Sequence, residues 1–426
     1  MVWLTWLLFG LFVILCLFRG PIAFSLPIPS LIVLILQDFQ LATVIERVFS
    51  GMNKSSLMAI PGFVLTGVLM VKGGISKYLL DCIKSWIGHV SGGMAIVTIV
   101  TCMVFAAISG SSLATVAAIG TIMIPAMIQA GYDKNYAMGL VAVAGTLGIL
   151  IPPSVSMIIY GTVTDTSIGD LFIAGVLPGL FFGFVLIITA IIYARRKGFG
   201  RMEPVSWQER KNTTIKAIWG LLLPFIIFFT IYGGVATPTE ASVIALVYSL
   251  IVGVFVYKEI KFVDIRDILR ETVQITSMVY MIVAAASIFG MYLTINQVPQ
   301  SVAAWISESG MNAWVFIIAV NLLLFVLGAF LEGVSIILIT VPILLPILKD
   351  LGINLYHFAI ILVVNLEIAM ITPPVGLNLF VISGITKEPL ERVIKAVIPF
   401  IFIMIFVLII VIIFPELSLN LIPHRK

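Results

Sequence analysis

Two short stretches of this chain place oxygen ligands inside apolar sequence. One is Ser109-Gly110-Ser111-Ser112, with Thr115 a turn later. The other is Gly145-Thr146-Leu147-Gly148-Ile149-Leu150-Ile151-Pro152-Pro153-Ser154. A proline pair removes two backbone donors and breaks the helical ladder. The freed carbonyls, with Ser and Thr hydroxyls, suit a hard cation such as sodium without a fixed charge. The half-helix that restarts beyond the break offers free N–H groups to an anionic substrate. Both devices return downstream. A second proline pair stands in Ile371-Thr372-Pro373-Pro374-Val375, at an offset of 221 residues (373 − 152). A second tip-like stretch reads Gly328-Ala329-Phe330-Leu331-Glu332-Gly333-Val334-Ser335.

The elements that hold these residues are membrane helices. The chain has 426 residues, 61% hydrophobic and 10% charged, with mean hydropathy +1.21. A soluble domain carries about 25% charged residues. Many apolar runs reach spanning length, so the chain reads as an all-α polytopic membrane protein. The net charge of +4 is small. Its basic residues are expected to set topology rather than bind nucleic acid. Cys16, Cys82 and Cys102 suggest neither a disulfide framework nor a metal spacing. His89, His357 and His424 are scattered. A membrane enzyme needs clustered His, Cys or carboxylates, and the sequence has no such cluster. Met1 to Phe18 lacks the basic start and small-residue cleavage site of a signal peptide, so it reads as the first membrane helix.

Spans are expected at 2–18, 22–37, 55–71, 168–194, 215–232, 238–257, 272–296 and 396–414, with an amphipathic interfacial helix at 72–90. Two split pairs, 91–130 and 312–348, read as re-entrant hairpins. Broken helices cover 135–164 and 356–385. Unwound backbone at membrane depth is tolerated only where it is buried in protein or lines a polar cavity.

The 221-residue offset aligns the two halves without a gap. Pro125 meets Pro346, Gly131 meets Gly352, Pro178 meets Pro399, and Asp170 meets Glu391. Proline is about 5% of average sequence, so coincident prolines at one offset point to a duplication. The chain divides into N-terminal scaffold helices (1–50), repeat copy A (51–180), a polar linker with central scaffold helices (181–270), repeat copy B (271–400) and a C-terminal end (401–426). With the split pairs treated as re-entrant, 19 of the 24 Lys and Arg residues fall on one side, the cytoplasmic one. Among the 19 are Arg19 and Arg201; the outer side keeps Arg47, Lys54, Lys349, Arg425 and Lys426. The two copies are then inverted. Hairpin one enters from the cytoplasm and hairpin two from outside, and both tips meet the broken helices near the midplane. That is the arrangement of inverted-repeat transporters.

Three acids lie in apolar surroundings: Glu240, Glu332 and Glu367. Glu332 could bind an ion, carry a proton, cap the helix that follows or face water. Glu367 occupies the repeat position of Thr146. Glu240 starts a span, where an acid suits the helix dipole. Ser and Gly in membrane helices more often serve close packing. Four in a row opposite a Pro-Pro break are a stronger sign of a site.

The motifs Ser-Gly-Ser-Ser-x-Ala-Thr at 109–115, Ile-Pro-Pro-Ser at 151–154, Thr-Pro-Thr-Glu-Ala at 237–241 and Thr-Pro-Pro-Val-Gly-x-Asn at 372–378 together resemble the large membrane subunit of tripartite ATP-independent periplasmic (TRAP) transporters. The resemblance spans nearly the whole chain. It implies an elevator-type fold of the ion transporter superfamily kind, in a bacterial inner membrane. It implies sodium-driven import of a carboxylate such as a C4-dicarboxylate or sialic acid, with two or more sodium ions coupled. It also implies a separate small four-helix membrane subunit and a periplasmic substrate-binding protein as partners. By position, Ser109, Ser112, Gly148, Ile151 and Pro153 would frame one sodium site, and Gly328, Gly333, Thr372 and Pro374 the other. Ser111, Thr115, Ser154, Glu332, Ser335 and Asn378 are the expected contacts of the organic anion. The rivals are a stand-alone proton- or sodium-coupled organic anion carrier and, from another class, an ion channel, against which no filter motif or acid ring appears.

Overall fold

A computed structural model describes residues 2–18, 20–198 and 203–422 of the chain. Arg19, Arg201, His424, Arg425 and Lys426, used above, lie outside the described residues. Among the described residues there are helices and turns and no strand. Eight of the helices are long and apolar enough to cross a membrane.

In chain order the helices are α1 (Val2–Leu17), α2 (Ile22–Ser25), α3 (Pro27–Leu36), α4 (Leu41–Met52), α5 (Ala59–Lys72), α6 (Ile75–Ile87), α7 (Gly93–Ser109) and α8 (Ser112–Gln129). Then come α9 (Lys134–Ala144), α10 (Val155–Thr164), α11 (Ile168–Lys197), α12 (Trp207–Tyr232) and α13 (Pro238–Ile251). The second half holds α14 (Asp264–Ile295), α15 (Val298–Glu308), α16 (Ala313–Gly328), α17 (Gly333–Asp350), α18 (Leu355–Ala369), α19 (Leu377–Thr386), α20 (Leu390–Ile413) and α21 (Glu416–Leu419). Each α8 boundary recurs in α17 at the 221-residue offset. The same turn chemistry recurs too. Asp133 caps α9 through Tyr136 N, and Asn354 caps α18 through Tyr356 N.

Two helices lie where no apolar run stands out. α4 carries Glu46 and Arg47, and α15 carries Gln300, Ser301 and Glu308. Both are amphipathic, so a search for continuous apolar sequence passes over them. The expected span at 22–37 is two pieces, α2 and α3, that meet at Leu26.

Internal contacts establish the inversion. The start of α9 lies beside the loop before α20, where Lys134 Nζ is 2.5 Å from Glu388 Oε1 and Arg392 Nε donates to Asn135 Oδ1 at 2.9 Å. Lys134 above all holds the Glu388 carboxyl below the usual range, with Arg392 adding to it. The start of α18 lies instead beside the end of α10, where Tyr160 Oη donates to Leu355 O at 2.8 Å. The two broken helices therefore run antiparallel. Hairpin one enters and leaves at the same end of α11. A Cβ on Gly92, before α7, would lie 3.1 Å from Ala194 Cβ. After α8, Tyr136 stacks on Tyr193 with ring centroids 4.0 Å apart.

This arrangement has a direct consequence for labelling. Gln129 ends α8, Asp350 ends α17, and both are exposed. Cysteines placed there, one per variant, are expected to react with a membrane-impermeant maleimide from opposite faces of oriented vesicles. Reaction of both from one face would refute the inversion.

Candidate functional site

Tip one is shaped by glycine and serine. Gly110 ends α7 at φ +59, a left-handed conformation that glycine adopts cheaply. Ser111 then caps α8 by accepting from Ala114 N at 3.4 Å. Thr115 Oγ1 donates to Ser111 O at 2.8 Å and lies 3.0 Å from Ser109 Oγ. The hydroxyls of Ser109 and Thr115 and the carbonyl of Ser111 thus form one local knot.

Break one faces this tip. After α9 the chain tightens into a 3-10 turn over Gly145–Ile149, and Ile151 N donates to Leu147 O at 2.9 Å. The Pro152-Pro153 bond is cis, as is Pro373-Pro374. Ser154 Oγ donates to Ile149 O at 2.6 Å. Tip and break meet backbone to backbone. A Cβ on Gly148 would stand 2.6 Å from Ser111 O and 2.9 Å from Ser112 N. A Cβ on Gly110 would stand 2.5 Å from Pro153 O. Ser112, Gly148 and Pro153 are therefore gathered at one place with Ser109. Ile151 is not part of that contact: its N–H stays within the break on Leu147 O and its side chain lies against Gly179 of α11.

Tip two and break two repeat the scheme with other residues. Gly328 ends α16 against Ala369 at the end of α18. Val375 N, next to Pro374, donates to Ala329 O at 3.1 Å. Thr372 Oγ1 returns to Ile368 O at 2.6 Å. Gly333 lies beside Leu366, and Glu332 takes the cap position of α17 without a capping bond. Ser335 Oγ is 3.5 Å from Glu332 Oε1. Gly376, at φ +45, turns the chain into α19, and Asn378 N closes the break on Met370 O at 3.0 Å.

The copies are crossed. α19 of one packs on α8 of the other, and α10 packs on α17. The clearest link is Asn378, whose Nδ2 donates to Ser112 Oγ at 2.8 Å. Both residues are fully buried.

A cavity of about 160 Å³ opens between the two tips and the helices α5 and α14. Ser109, Ser111, Ser112, Glu332 and Gly333 line it among the expected residues. Thr115, Ser154, Ser335 and Asn378 do not; they are fully buried, and their side chains bond within the tips and breaks. Gly148, Ile151, Pro153, Gly328, Thr372 and Pro374 do not line it either; the first four are buried, Thr372 is half-buried and Pro374 is exposed. The far wall holds Val64, Gly67, Val68 and Val71 of α5 and Glu271, Ile275, Met278 and Val279 of α14. Sequence reasoning did not single out these residues. In α5, which is apolar nearly all round, their three- or four-residue spacing carries no contrast, and in α14 they follow a charged start that reads as a helix end at the interface.

The charged lining consists of Glu271 and Glu332, with no basic residue among the described ones. An anion here would meet the N–H groups at the starts of α8 and α17 rather than a lysine or arginine. Glu240 is elsewhere. It forms a capping box with Thr237, whose N donates to Glu240 Oε2 at 2.8 Å. Glu367 is fully buried in α18, and neither of its oxygens has a partner among the described residues. Among the described residues no group of three His, Cys, Asp or Glu is placed to hold a metal.

The fold matches a solved transporter. The crystal structure of the Alcanivorax borkumensis YdaH transporter superposes with a TM-score of 0.66 at 12% identity, covering 90% of this chain and 89% of that one. Curated relatives are nearer in sequence. The chain is 44% identical over 392 residues to the C4-dicarboxylate TRAP transporter large permease protein DctM of Pseudomonas aeruginosa, covering 92% of each. It is 39% identical over 396 residues to the isethionate TRAP transporter permease protein DctMQ of Oleidesulfovibrio alaskensis, covering 92% of this chain and 62% of that longer protein. The profile of the tripartite ATP-independent periplasmic transporter, DctM component, matches residues 9–417. Two inverted copies, two docked tips and this match across the whole helical body lead to one conclusion: the chain belongs to the DctM family of tripartite ATP-independent periplasmic transporters.

Proposed function

We propose that this chain is the large permease of a sodium-coupled importer of small organic acids, C4-dicarboxylates first among them, working by an elevator movement. The carrying observation is the backbone docking of each glycine-bearing tip against a proline-broken helix. That geometry brings carbonyls and hydroxyls together at each tip, which supports a sodium ion there, and it sets two helix starts on the space between. Sodium neutralises the anion in a cavity that offers no basic side chain among the described residues, and the neutral assembly then moves across the α5–α14 wall.

The conformation supports alternating access. The cavity follows α5 to Val71 and α14 to Glu271, next to Lys72 and Arg270, on the cytoplasmic side by charge. On the opposite side Lys54 Nζ donates to Thr162 O at 2.7 Å, and Ser56 Oγ lies 3.0 Å from Thr162 Oγ1. A cavity reaching toward one side and contacts closing the other are what an inward-facing state of such a cycle would have. As a DctM-family permease the chain is a multi-pass protein of the bacterial inner membrane. Its substrate arrives from a periplasmic binding protein, and a small four-helix membrane subunit on a separate chain accompanies it. The extra length of the isethionate relative leaves room for such a subunit on one chain.

The test is uptake of radiolabelled succinate into proteoliposomes that hold the large and small membrane subunits, with the binding protein added outside. Uptake is expected only with an inward sodium gradient and the binding protein. Equal uptake with choline in place of sodium would reject the coupling ion. Single-channel currents without binding protein would favour a pore.

A further inference from the structure

Asn378 is tied to three of the four interruptions in the fold. Its backbone N–H donates across break two to Met370 O at 3.0 Å. Its side-chain Nδ2 donates to Ser112 Oγ of tip one at 2.8 Å, and its Oδ1 lies 3.2 Å from the same oxygen. The same Nδ2 reaches Ala142 O, at the end of α9, at 3.3 Å. Three residues earlier, Val375 N holds Ala329 O of tip two at 3.1 Å. The segment 375–378 therefore touches both tips and both broken helices.

The link is one-sided. At the repeat offset, Asn378 corresponds to Met157 and Ser112 to Gly333. Neither can form the equivalent bond, so no second bridge joins tip two to the restart of break one in this way. The bridge is also buried. Asn378, Ser112 and Ala142 are fully buried. A hydrogen bond lost between buried groups is costly, so a shift at one end is followed at the other or leaves the Asn378 amide short of a partner.

We propose that Asn378 is a positioning residue that couples cation binding at tip one to cation binding at break two. Filling the first site fixes Ser112, Ser112 fixes Asn378, and Asn378 sets the backbone of break two from Met370 to Asn378 before a second ion arrives. The two sites then fill cooperatively, although neither ion touches the other. This inference rests on the sodium-coupled reading above and adds the element that makes two sites act as one. Coupling between sites is reciprocal, so cutting either end of the bridge has the same consequence.

The experiment needs no substrate. The full chain in lipid nanodiscs is titrated with sodium chloride, choline chloride holding the ionic strength, and thermal stability is followed. The wild type is expected to respond steeply, with a Hill coefficient above unity. Asn378→Ala is expected to flatten the response to unity and to raise half-saturating sodium by about tenfold, within the usual range of coupling between sites. Ser112→Ala, a milder change that serves if Asn378→Ala fails to fold, is expected to do the same. The double variant is expected to be no worse than either single one, as for two ends of a single contact. A merely structural role would lower stability at every sodium concentration and leave the steepness intact. A sodium-responsive wild type whose single variants keep its steepness overturns the coupling alone. A wild type indifferent to sodium overturns the sodium reading and the coupling with it.

Discussion

Gly148→Ala, the addition of one methyl group, is expected to remove most of the stabilisation by sodium that the proposed coupling calls for. The added carbon would stand 2.6 Å from Ser111 O, 2.7 Å from Ser111 C and 2.9 Å from Ser112 N. These are backbone atoms, so no side chain can swing aside. Tip one must back away from break one or the 3-10 turn must open. Overpacking of this kind costs about 1–3 kcal/mol. Expressed as sodium affinity, that is a loss of about five- to a hundredfold. The matched control is Gly384→Ala in α19, where an added Cβ meets nothing within 4 Å. Thermal stability against sodium chloride, with choline as balance, separates the two. A Gly148→Ala protein with the wild-type sodium midpoint would show that the tip–break contact is not where the ion sits.

The second large effect is expected in transport rather than in ion binding. Ala114 stands in the first turn of α8 and lines the cavity. Ala114→Trp places an indole into about 160 Å³ of space between the tips and the α5–α14 wall. The variant is expected to fold and to keep its response to sodium, because the tip–break contact at Gly148 is untouched. Succinate uptake is expected to fall to the level of empty vesicles. The paired outcome is the informative one: Gly148→Ala loses the ion, and Ala114→Trp keeps the ion and loses the cargo. Uptake at wild-type rate in Ala114→Trp would show that the cargo passes elsewhere.

Much of this architecture could be read before any coordinates. Proline pairs inside apolar runs have few physical meanings, and their recurrence at one offset exposed the duplication. The lysine and arginine bias then oriented the copies, since charge placement and chain direction are linked in a membrane. The contacts at Lys134–Glu388 and Tyr160–Leu355 agree with that orientation. The amphipathic helices α4 and α15 were passed over for a different reason. They sit beside the spans rather than in them, so the apolar-run criterion that worked elsewhere had nothing to detect.

The site divides along the same line. Residues that make a tip or a break announce themselves locally, because Gly, Ser and Pro change what the backbone can do within a few positions. Ser109, Gly110, Gly148 and Pro153 are of this kind. What a side chain faces is not a local property. Thr115 and Ser154 look like contacts for an anion in sequence, yet their hydroxyl protons go to nearby carbonyls. Asn378 looks like a substrate contact, yet its amide is spent on Ser112, 266 residues away. Val68 and Met278 look like any other apolar residue, yet they form the wall of the cavity. Backbone breaks, repeat symmetry and sidedness follow from residue type and spacing alone. The partner of each polar atom and the face of each uniformly apolar helix were settled only when the two copies packed through one another, because that packing decides which oxygens are satisfied and which remain open to a ligand.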